Sequence, residues 1–520
     1  MPRSYTSTFI TEIPLRIDTY QEKELLSRFQ AGRQLYNALL SEAMIRMELV
    51  RDSELYQKAK KLPKGKERDR AFGDARKVYR YSDYDLQAYA TIVSNSAKWI
   101  ADKIDSNTQQ KLATRAFRAS EKVLFGWANS VRYKVPSRFR SMEGKTNKQG
   151  IRWKEDSLVW GKLRLKGIIE ESNPVIQHGL NSPIKYVRLL WRELKAKRRW
   201  YAQLICAGLP YQKPQNYVSD GIVGLDLNLS NIAFVADNYA GLLPCAEGVP
   251  TYEREISALQ RRMQRSQRAN NPGNYQPDFT AKEGRKIVTK KGKPKKGKRK
   301  WSKSNNYIKT AAKKRELERR KTAYAKSQNR KIVNEILRHG NQIKTENVSI
   351  KGWQKRYGKA ISAKSPGFVQ SELVRKAESA GGRVIKFSTQ KTALSQTHLT
   401  GERIKKSLSN RVHYDMTGAV MHRDLFSAYL SRYVNDEDNL LLHLAVQQWE
   451  RSEPILMQAW EEFQINCERV AERESRLSHS PLEQFCTSLG TVNQISQSGL
   501  KVNLNSSPES ASLKLSLIKF

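Results

Sequence analysis

Gly221-Ile-Val-Gly-Leu-Asp226-Leu-Asn-Leu-Ser230 is the stretch on which the fold of this chain turns. Its alternation predicts a strand with Val223, Leu225, Leu227 and Leu229 on one face and Gly224, Asp226 and Asn228 on the other. An acid among apolar neighbours is costly to bury unless it is paired or metal-bound. On this strand alone a structural salt bridge and a metal site are equally good readings. Two further acids, and the charge around them, argue for the metal.

The charge is extreme. Across 520 residues, 94 Lys and Arg face 51 Asp and Glu, a formal net charge of +43. Such a surplus strains the compact state by self-repulsion unless a polyanion neutralises it, and a phosphate backbone is the partner that fits. The densest run is Lys290-Lys-Gly-Lys-Pro-Lys-Lys-Gly-Lys-Arg-Lys300, in which Lys293, Lys295, Lys296, Lys298, Arg299 and Lys300 are the candidate nucleic-acid contacts. Taken alone the run is also what a solvated loop looks like, but a loop does not explain a surplus spread over most of the chain. An acidic membrane would attract the same charge, yet no amphipathic anchor or lipidation signal is visible. No apolar stretch approaches the roughly 20 residues of a spanning helix, and the N-terminus lacks a signal-peptide pattern, so a cytoplasmic protein is expected. Cys206, Cys245, Cys467 and Cys486 form no CxxC pair, which predicts reduced, structural thiols.

Pattern changes along the chain predict its organisation. Residues 5–17 alternate as a strand. From about residue 20, Leu25, Phe29, Tyr36, Leu40, Ala43 and Met47 fall on a helical stripe, and helical character continues to about 130, broken by the charged segment 58–80. Residues 150–208 read as strands, clearest at Trp200-Tyr-Ala-Gln-Leu-Ile205, and Pro210 and Pro214 mark a linker. An α/β layer follows: strands at 221–229, 231–236 and 240–245, helices at 252–268 and 306–338, strands at 342–348 and 383–388 flanking a helix at 366–380, and a helix from Asp424. From residue 436 the balance turns acidic, 12 acids to 7 bases. That tail begins as an amphipathic helix over 440–463, and its Ser/Asn/Gln-rich end has the composition of disorder.

Glu346 ends the short strand Ile343-Lys-Thr-Glu346, and Asp424 begins the helix Arg423-Asp424-Leu-Phe-Ser-Ala428. A nuclease using two metal ions needs several carboxylates converging on one spot, holding the ions about 3.5–4 Å apart. The order Asp, Glu, Asp on this β/α alternation is what an RNase H-like nuclease fold requires. Each acid also has a plainer reading: a helix N-cap for Asp424, a solvated strand end for Glu346. Small Ala428 would let its helix approach the sheet closely, and His422 flanks the site. Trp153, Trp160, Trp191, Trp200, Trp301 and Trp353 lie in basic regions and could stack on bases, although a core position suits each better.

These motifs resemble transposon-encoded TnpB, a relative of the type V CRISPR effector nucleases, and its cyanobacterial branch in particular. Val-Gly-Leu-Asp226-Leu matches the first RuvC motif of that family. Thr345-Glu346-Asn-Val, followed by Trp353-Gln-Lys and Gly358-Lys, is similar to the second, and Arg423-Asp424-Leu-Phe-Ser-Ala428 matches the third. Arg375-Lys-Ala-Glu-Ser-Ala-Gly-Gly382 is similar to the helix–strand step before the zinc ribbon, and Tyr36-Asn-Ala-Leu, Arg115-Ala-Phe117 and Pro136-Ser-Arg-Phe139 fit the N-terminal half. The resemblance covers roughly residues 5–435. It implies an α/β fold with additional domains: a β-barrel wedge domain (1–19 and 131–213), a helical recognition domain (20–130), and an RNase H-like RuvC nuclease domain (214–435). The last carries a basic helical insertion at 252–338, and residues 436–520 form the tail. It implies a bacterial RNA-guided DNA endonuclease with Asp226, Glu346 and Asp424 as catalytic residues holding two Mg²⁺ ions, a guide RNA from the transposon end, and double-stranded DNA as target.

One departure stands out. The family carries two short Cys pairs that form a zinc ribbon, whereas the matching segment here, 389–423, has His398, Thr400, Asp415 and Thr417 at the corresponding places. The glycines and frame remain, but threonines are not structural zinc ligands, so zinc is not expected. Two alternatives stay open beside the endonuclease: an RNA-guided DNA-binding protein that no longer cuts, and a transposase performing strand transfer.

Overall fold

The computed structural model describes residues 7–246, 249–250, 252–284, 286–297, 299–407 and 410–477. Lys298, Cys486 and the Ser/Asn/Gln-rich end of the chain lie outside the described residues.

The N-terminal half is built from two antiparallel sheets and a set of helices. In the first sheet the strand Thr8–Pro14 pairs with Lys197–Ala207, which pairs with Ile184–Leu194 and then Ser141–Glu143. The second holds three short strands, Arg152–Lys154, Ser157–Trp160 and Leu163–Lys166, and the Leu15–Gly167 bridge ties it to the first. The long helix Thr19–Asp52 begins at a capping box formed by Asp18 and Gln21. It buries Leu25, Phe29, Leu35, Tyr36, Leu39, Leu40, Ala43 and Met47 as one stripe. Strands and helices share a single core here: Phe29 meets Trp200 edge-on at 5.1 Å and Phe139 at 6.0 Å. The charged segment 58–80 does not break the helical run but folds into Glu54–Lys61 and Lys66–Val78, each with one buried alanine.

The C-terminal half is a five-stranded mixed sheet in the order Ala240–Pro244, Asn231–Val235, Ile222–Leu227, Gln342–Glu346, Arg383–Phe387. The first three strands are an antiparallel meander, and the last three run parallel. Helices cover both faces. Val223, Leu225 and Leu227 face a core with Ile332, Val333, Ile336 and Leu337 of the helix Asn305–Arg338 and Val369 and Leu373 of Pro366–Ser379. Gly224 and Asp226 turn the other way, beneath the helix Arg423–Ser431. A third core forms there, and it includes Ala445, Trp449, Leu456, Ala459 and Trp460 from the helices Leu442–Gln447 and Trp449–Leu477. The amphipathic start of the acidic tail is thus a structural layer of the sheet. Between Glu253–Ala269 and Asn305–Arg338, the Lys/Gly/Pro-rich run includes a hairpin, Phe279–Glu283 with Lys286–Lys290. Among the described residues, no helix is long and apolar enough to cross a membrane.

Candidate functional site

Three elements bring the acids together. Asp226 sits near the end of the central strand. In the parallel pairing Leu225 lies abreast of Thr345, so the next rung places Glu346 beside Asp226. Asp424 enters from above, in the first turn of Arg423–Ser431. That helix lies almost on the strand because Gly224 has no side chain: a Cβ there would stand 2.0 Å from the Ala428 carbonyl oxygen and 2.5 Å from Ser431 Oγ. The close approach expected at Ala428 is therefore present, and the missing Gly224 side chain permits it. Lys344, two residues before Glu346 on the same face, fixes the far end of the region by donating to the Arg432 and Val434 carbonyls at 2.9 and 2.7 Å.

Asp424 is not the helix cap. His422 holds that position, and its Nδ1 accepts the Asp424 backbone N–H at 3.2 Å. Burial pushes the His422 imidazole down to about 4, so the ring is neutral and free to accept that bond at physiological pH. The Asp424 carboxylate is left for something else. It is 1% exposed and its Oδ2 has no hydrogen-bond partner among the described residues. Arg411 Nη1 stands 3.6 Å from this oxygen, and Arg423 Nε 3.6 Å from Oδ1. A carboxylate oxygen buried without a donor is costly, and a bound cation would relieve that cost.

The other two acids tell the same story. Burial raises Asp226 well above the carboxylate range, and the neighbouring charges of Asp424 and Glu346 raise it further. Burial alone pushes Glu346 up to about 7. Two acids that resist ionisation, with the Asp424 carboxylate beside them, form the donor set that a hard divalent cation stabilises. With no cation bound, Glu346 takes up a proton on folding, which stabilises the fold at low pH and is lost as pH rises from about 4.5 to about 7. Glu346→Gln removes that dependence. In chelator the variant should melt above wild type at pH 8 and near it at pH 4, with a gain of order 1–3 kcal/mol. Equal melting at pH 8 would mean that the carboxyl is better solvated than this geometry allows.

Sequence reasoning passed over Arg411, Arg423 and Asn228. The first two come from the ribbon segment and the helix start, so only folding reveals them. Asn228 lies beside Asp226 and keeps a buried Nδ2 with no hydrogen-bond partner among the described residues; its shared face with Asp226 was the available signal.

His398, His413 and Asp415 gather in the ribbon segment, with one potential ligand atom from each within 4.8 Å of the others. Most of the donor atoms of these residues are already committed, His398 Nε2 being buried without a hydrogen-bond partner among the described residues. Asp415 accepts from Leu399 N (3.0 Å), Thr417 N (3.0 Å), Thr417 Oγ1 (2.9 Å) and His413 Nε2 (3.0 Å). His413 takes the Lys406 ammonium on its other nitrogen at 2.7 Å, and His398 Nδ1 accepts from Met416 N at 3.1 Å. Thr400 turns to the Met416 sulfur. Burial works to raise Asp415, but the bonds from His413, Thr417 and Leu399 outweigh it and hold the carboxyl below its usual range. A closed four-ligand zinc site does not fit this donor set. The carboxylate itself clips the two turns together, and His413 stacks on Phe426 of the Asp424 helix at 3.9 Å. Asp415→Ala should therefore cost about 3–5 kcal/mol, because it strands buried donors, while a zinc-selective chelator leaves wild-type melting unchanged. One tightly held zinc per chain by elemental analysis would overturn this.

Of the candidate nucleic-acid contacts, Lys293, Lys295, Lys296, Arg299 and Lys300 are exposed. Lys295 donates to the Gly273 carbonyl, and Arg299 to those of Lys295 and Lys296, so part of this charge braces the loop itself. Trp153, Trp160, Trp191 and Trp200 are all 8% exposed or less and belong to the N-terminal core.

No protein-family model matches the sequence, and no curated protein matches it. Among solved structures the chain is similar to a cryo-EM Cas12f1–sgRNA–target DNA complex: 9% identity, TM-score 0.39, covering 82% of this chain and 98% of that one. A CRISPR–Cas12f ternary complex aligns at 10% identity and TM-score 0.25, covering 81% and 83%. Similarity this loose carries no weight for the chemistry, which rests on the residues themselves.

Proposed function

We propose that this protein is a transposon-encoded, RNA-guided DNA endonuclease with an RNase H-like, RuvC-type centre at Asp226, Glu346 and Asp424. The observation that carries the reading is the convergence of three acids from distant segments into one partly closed site, with an unpartnered Asp424 oxygen, in a chain of net charge +43. The N-terminal sheets would be the β-barrel wedge of such an enzyme, and the helices beside them its recognition domain.

Asp226, Glu346 and Asp424 would hold two Mg²⁺ ions. When bound, these supply an activated water and charge neutralisation at the leaving oxygen of a phosphodiester. The protein's own part is placement. Gly224 lets the Asp424 helix settle on the strand, neutral His422 orients the Asp424 turn, and Lys344 anchors the region's far end. Arg411, half open to solvent, stands at the mouth where a phosphate would arrive. The guide RNA would come from the transposon end and the target would be double-stranded DNA, with the basic surplus matched to both backbones.

The altered ribbon favours a second reading, guided DNA binding without cleavage. One preparation separates the two. The protein should purify with RNA whose binding falls about 10³–10⁵-fold between 50 and 200 mM salt, and with Mg²⁺ it should cut a target matched to that RNA. Binding without cutting gives the second reading; absence of bound RNA and of binding to the transposon-end transcript removes both.

A further inference from the structure

Lys111, Arg115, Arg118 and Lys122 follow one another at intervals of four, three and four along the helix Ser106–Leu124, which sets them in a row on one face. The opposite face, with Leu112, Ala113, Ala116 and Phe117, is buried. The row borders a cleft of about 370 Å³, whose lining also includes Tyr36 and, on the following segment, Lys134. Lys134 is held there by a two-way clip: its N–H donates to Asn37 Oδ1 at 2.8 Å and its carbonyl accepts from Asn37 Nδ2 at 3.0 Å. One carboxylate lines the cleft, Glu143, and it is shared between Arg188 at 2.9 Å and Lys111 at 3.7 Å. Arg115 lies over the Tyr36 ring and donates to the Ser141 carbonyl. Arg118, Lys122 and Lys134 are in no ion pair with a described carboxylate. Burial, and then the charges of Arg115 and Arg138, pull the Lys134 ammonium below its usual range.

Beyond the core contacts of Val123 and Leu124, the end of the helix leaves two aromatic rings exposed. Gly126, at φ +70°, turns the chain sharply. On either side of it Phe125 and Trp127 stand 46% and 76% exposed, with ring centroids 5.1 Å apart. Tyr133, next to Lys134, is 56% exposed. Large aromatics exposed beside cations that no described carboxylate balances, Arg118, Lys122 and Lys134, are the two parts of a surface that tracks a phosphate backbone and stacks bases.

We propose that the cation row of this helix and the Phe125–Trp127 and Tyr133 platform form a track for an unpaired nucleic-acid strand, with phosphates on Arg118, Lys122 and Lys134 and bases stacked on Trp127 and Tyr133. The proposal rests on the reading of the chain as a nucleic-acid enzyme, but its site is separate from the three acids. Unpaired strand is favoured over duplex because an aromatic face reaches only a base freed from its own stack. It is favoured over an anionic membrane because Arg115 and Lys134 line a cleft rather than stand on a flat face.

The test uses full-length Asp226→Ala protein in chelator, stripped of co-purifying RNA at high salt, so that cleavage plays no part. Affinities are measured for unpaired RNA, unpaired DNA, a duplex of equal length and anionic phospholipid vesicles. Trp127→Ala and Tyr133→Ala should each weaken unpaired-strand binding about five- to 150-fold, leave duplex binding and the salt slope unchanged, and be rescued by Phe. Arg118→Ala with Lys122→Ala should flatten the log–log salt slope by about 0.7 per lost contact. The more affected of the RNA and DNA arms names the strand. Both aromatics are exposed, so melting should not change. Unaltered strand affinity, an equal loss on duplex, or a loss confined to vesicles would each overturn the proposal. Failure of the endonuclease reading would instead show as intact strand binding by a wild-type protein that never cuts.

Discussion

Asp226→Ala, Glu346→Ala and Asp424→Ala should each lower target cleavage by at least about 10³-fold while leaving guide-dependent DNA binding within a few-fold of wild type. Each carboxylate contributes negative charge at one point where cations must sit, whereas the nucleic acid is held by Lys and Arg elsewhere. The three substitutions should not sum, because a site missing one acid no longer assembles as a unit. Binding and cutting must be read on the same preparations. Loss of binding together with cutting would make the acids structural; a wild type that binds and never cuts would leave them a relic. In the absence of metal the variants should also be at least as stable as wild type, since each removes one member of a mutually repelling cluster.

The second large effect concerns the tail. Ending the chain at residue 441 removes Trp449, Leu456 and Trp460 from the core above the sheet. Tyr429, whose hydroxyl donates to the Ala445 carbonyl and whose ring meets Trp449 at 5.2 Å, loses both partners. His422 loses Trp460 and Phe463 at 6.1 and 6.2 Å. A buried Trp is worth about 3–5 kcal/mol, so losing two of them with their neighbours approaches the whole stability of a domain, about 5–15 kcal/mol. The truncated protein should lose the C-terminal melting transition and all cleavage. A chain ending at residue 477 should keep both. Wild-type melting and cutting by the shorter chain would show the two C-terminal helices to be dispensable cover.

The strand around Asp226 was legible because its period-two alternation is a local property that survives without knowledge of its partners. The helix 305–338 and the strands at 342–346 and 383–387 were legible for similar reasons. The hairpin at 279–290 was hidden by lysines that suit a loop equally well, and the helices within 54–78 were hidden because each buries only one alanine. The tail was misleading in a more instructive way. Its acidic composition differs from the rest of the chain, but the apolar stripe inside it packs on Phe426 and Tyr429, and composition does not record what a stripe faces.

By itself the sequence determined the local alternation, the basic surplus that requires a polyanion, and the three acids with their order. Tertiary structure alone decided that Glu346 stands one rung from Asp226, because strand register is a pairing of segments more than 100 residues apart. It alone showed that Asp424 is not the helix cap and that its Oδ2 has no hydrogen-bond partner among the described residues, because His422 takes the cap and Arg411 and Arg423 reach the carboxylate only as ion pairs at 3.6 Å. It also revealed the carboxylate clip, because Asp415 has value only where Leu399, His413 and Thr417 converge on it. The physical reason is the same throughout: periodicity and charge are carried by neighbours in the chain, whereas burial, desolvation and hydrogen-bond satisfaction depend on residues that only folding brings within a few ångströms.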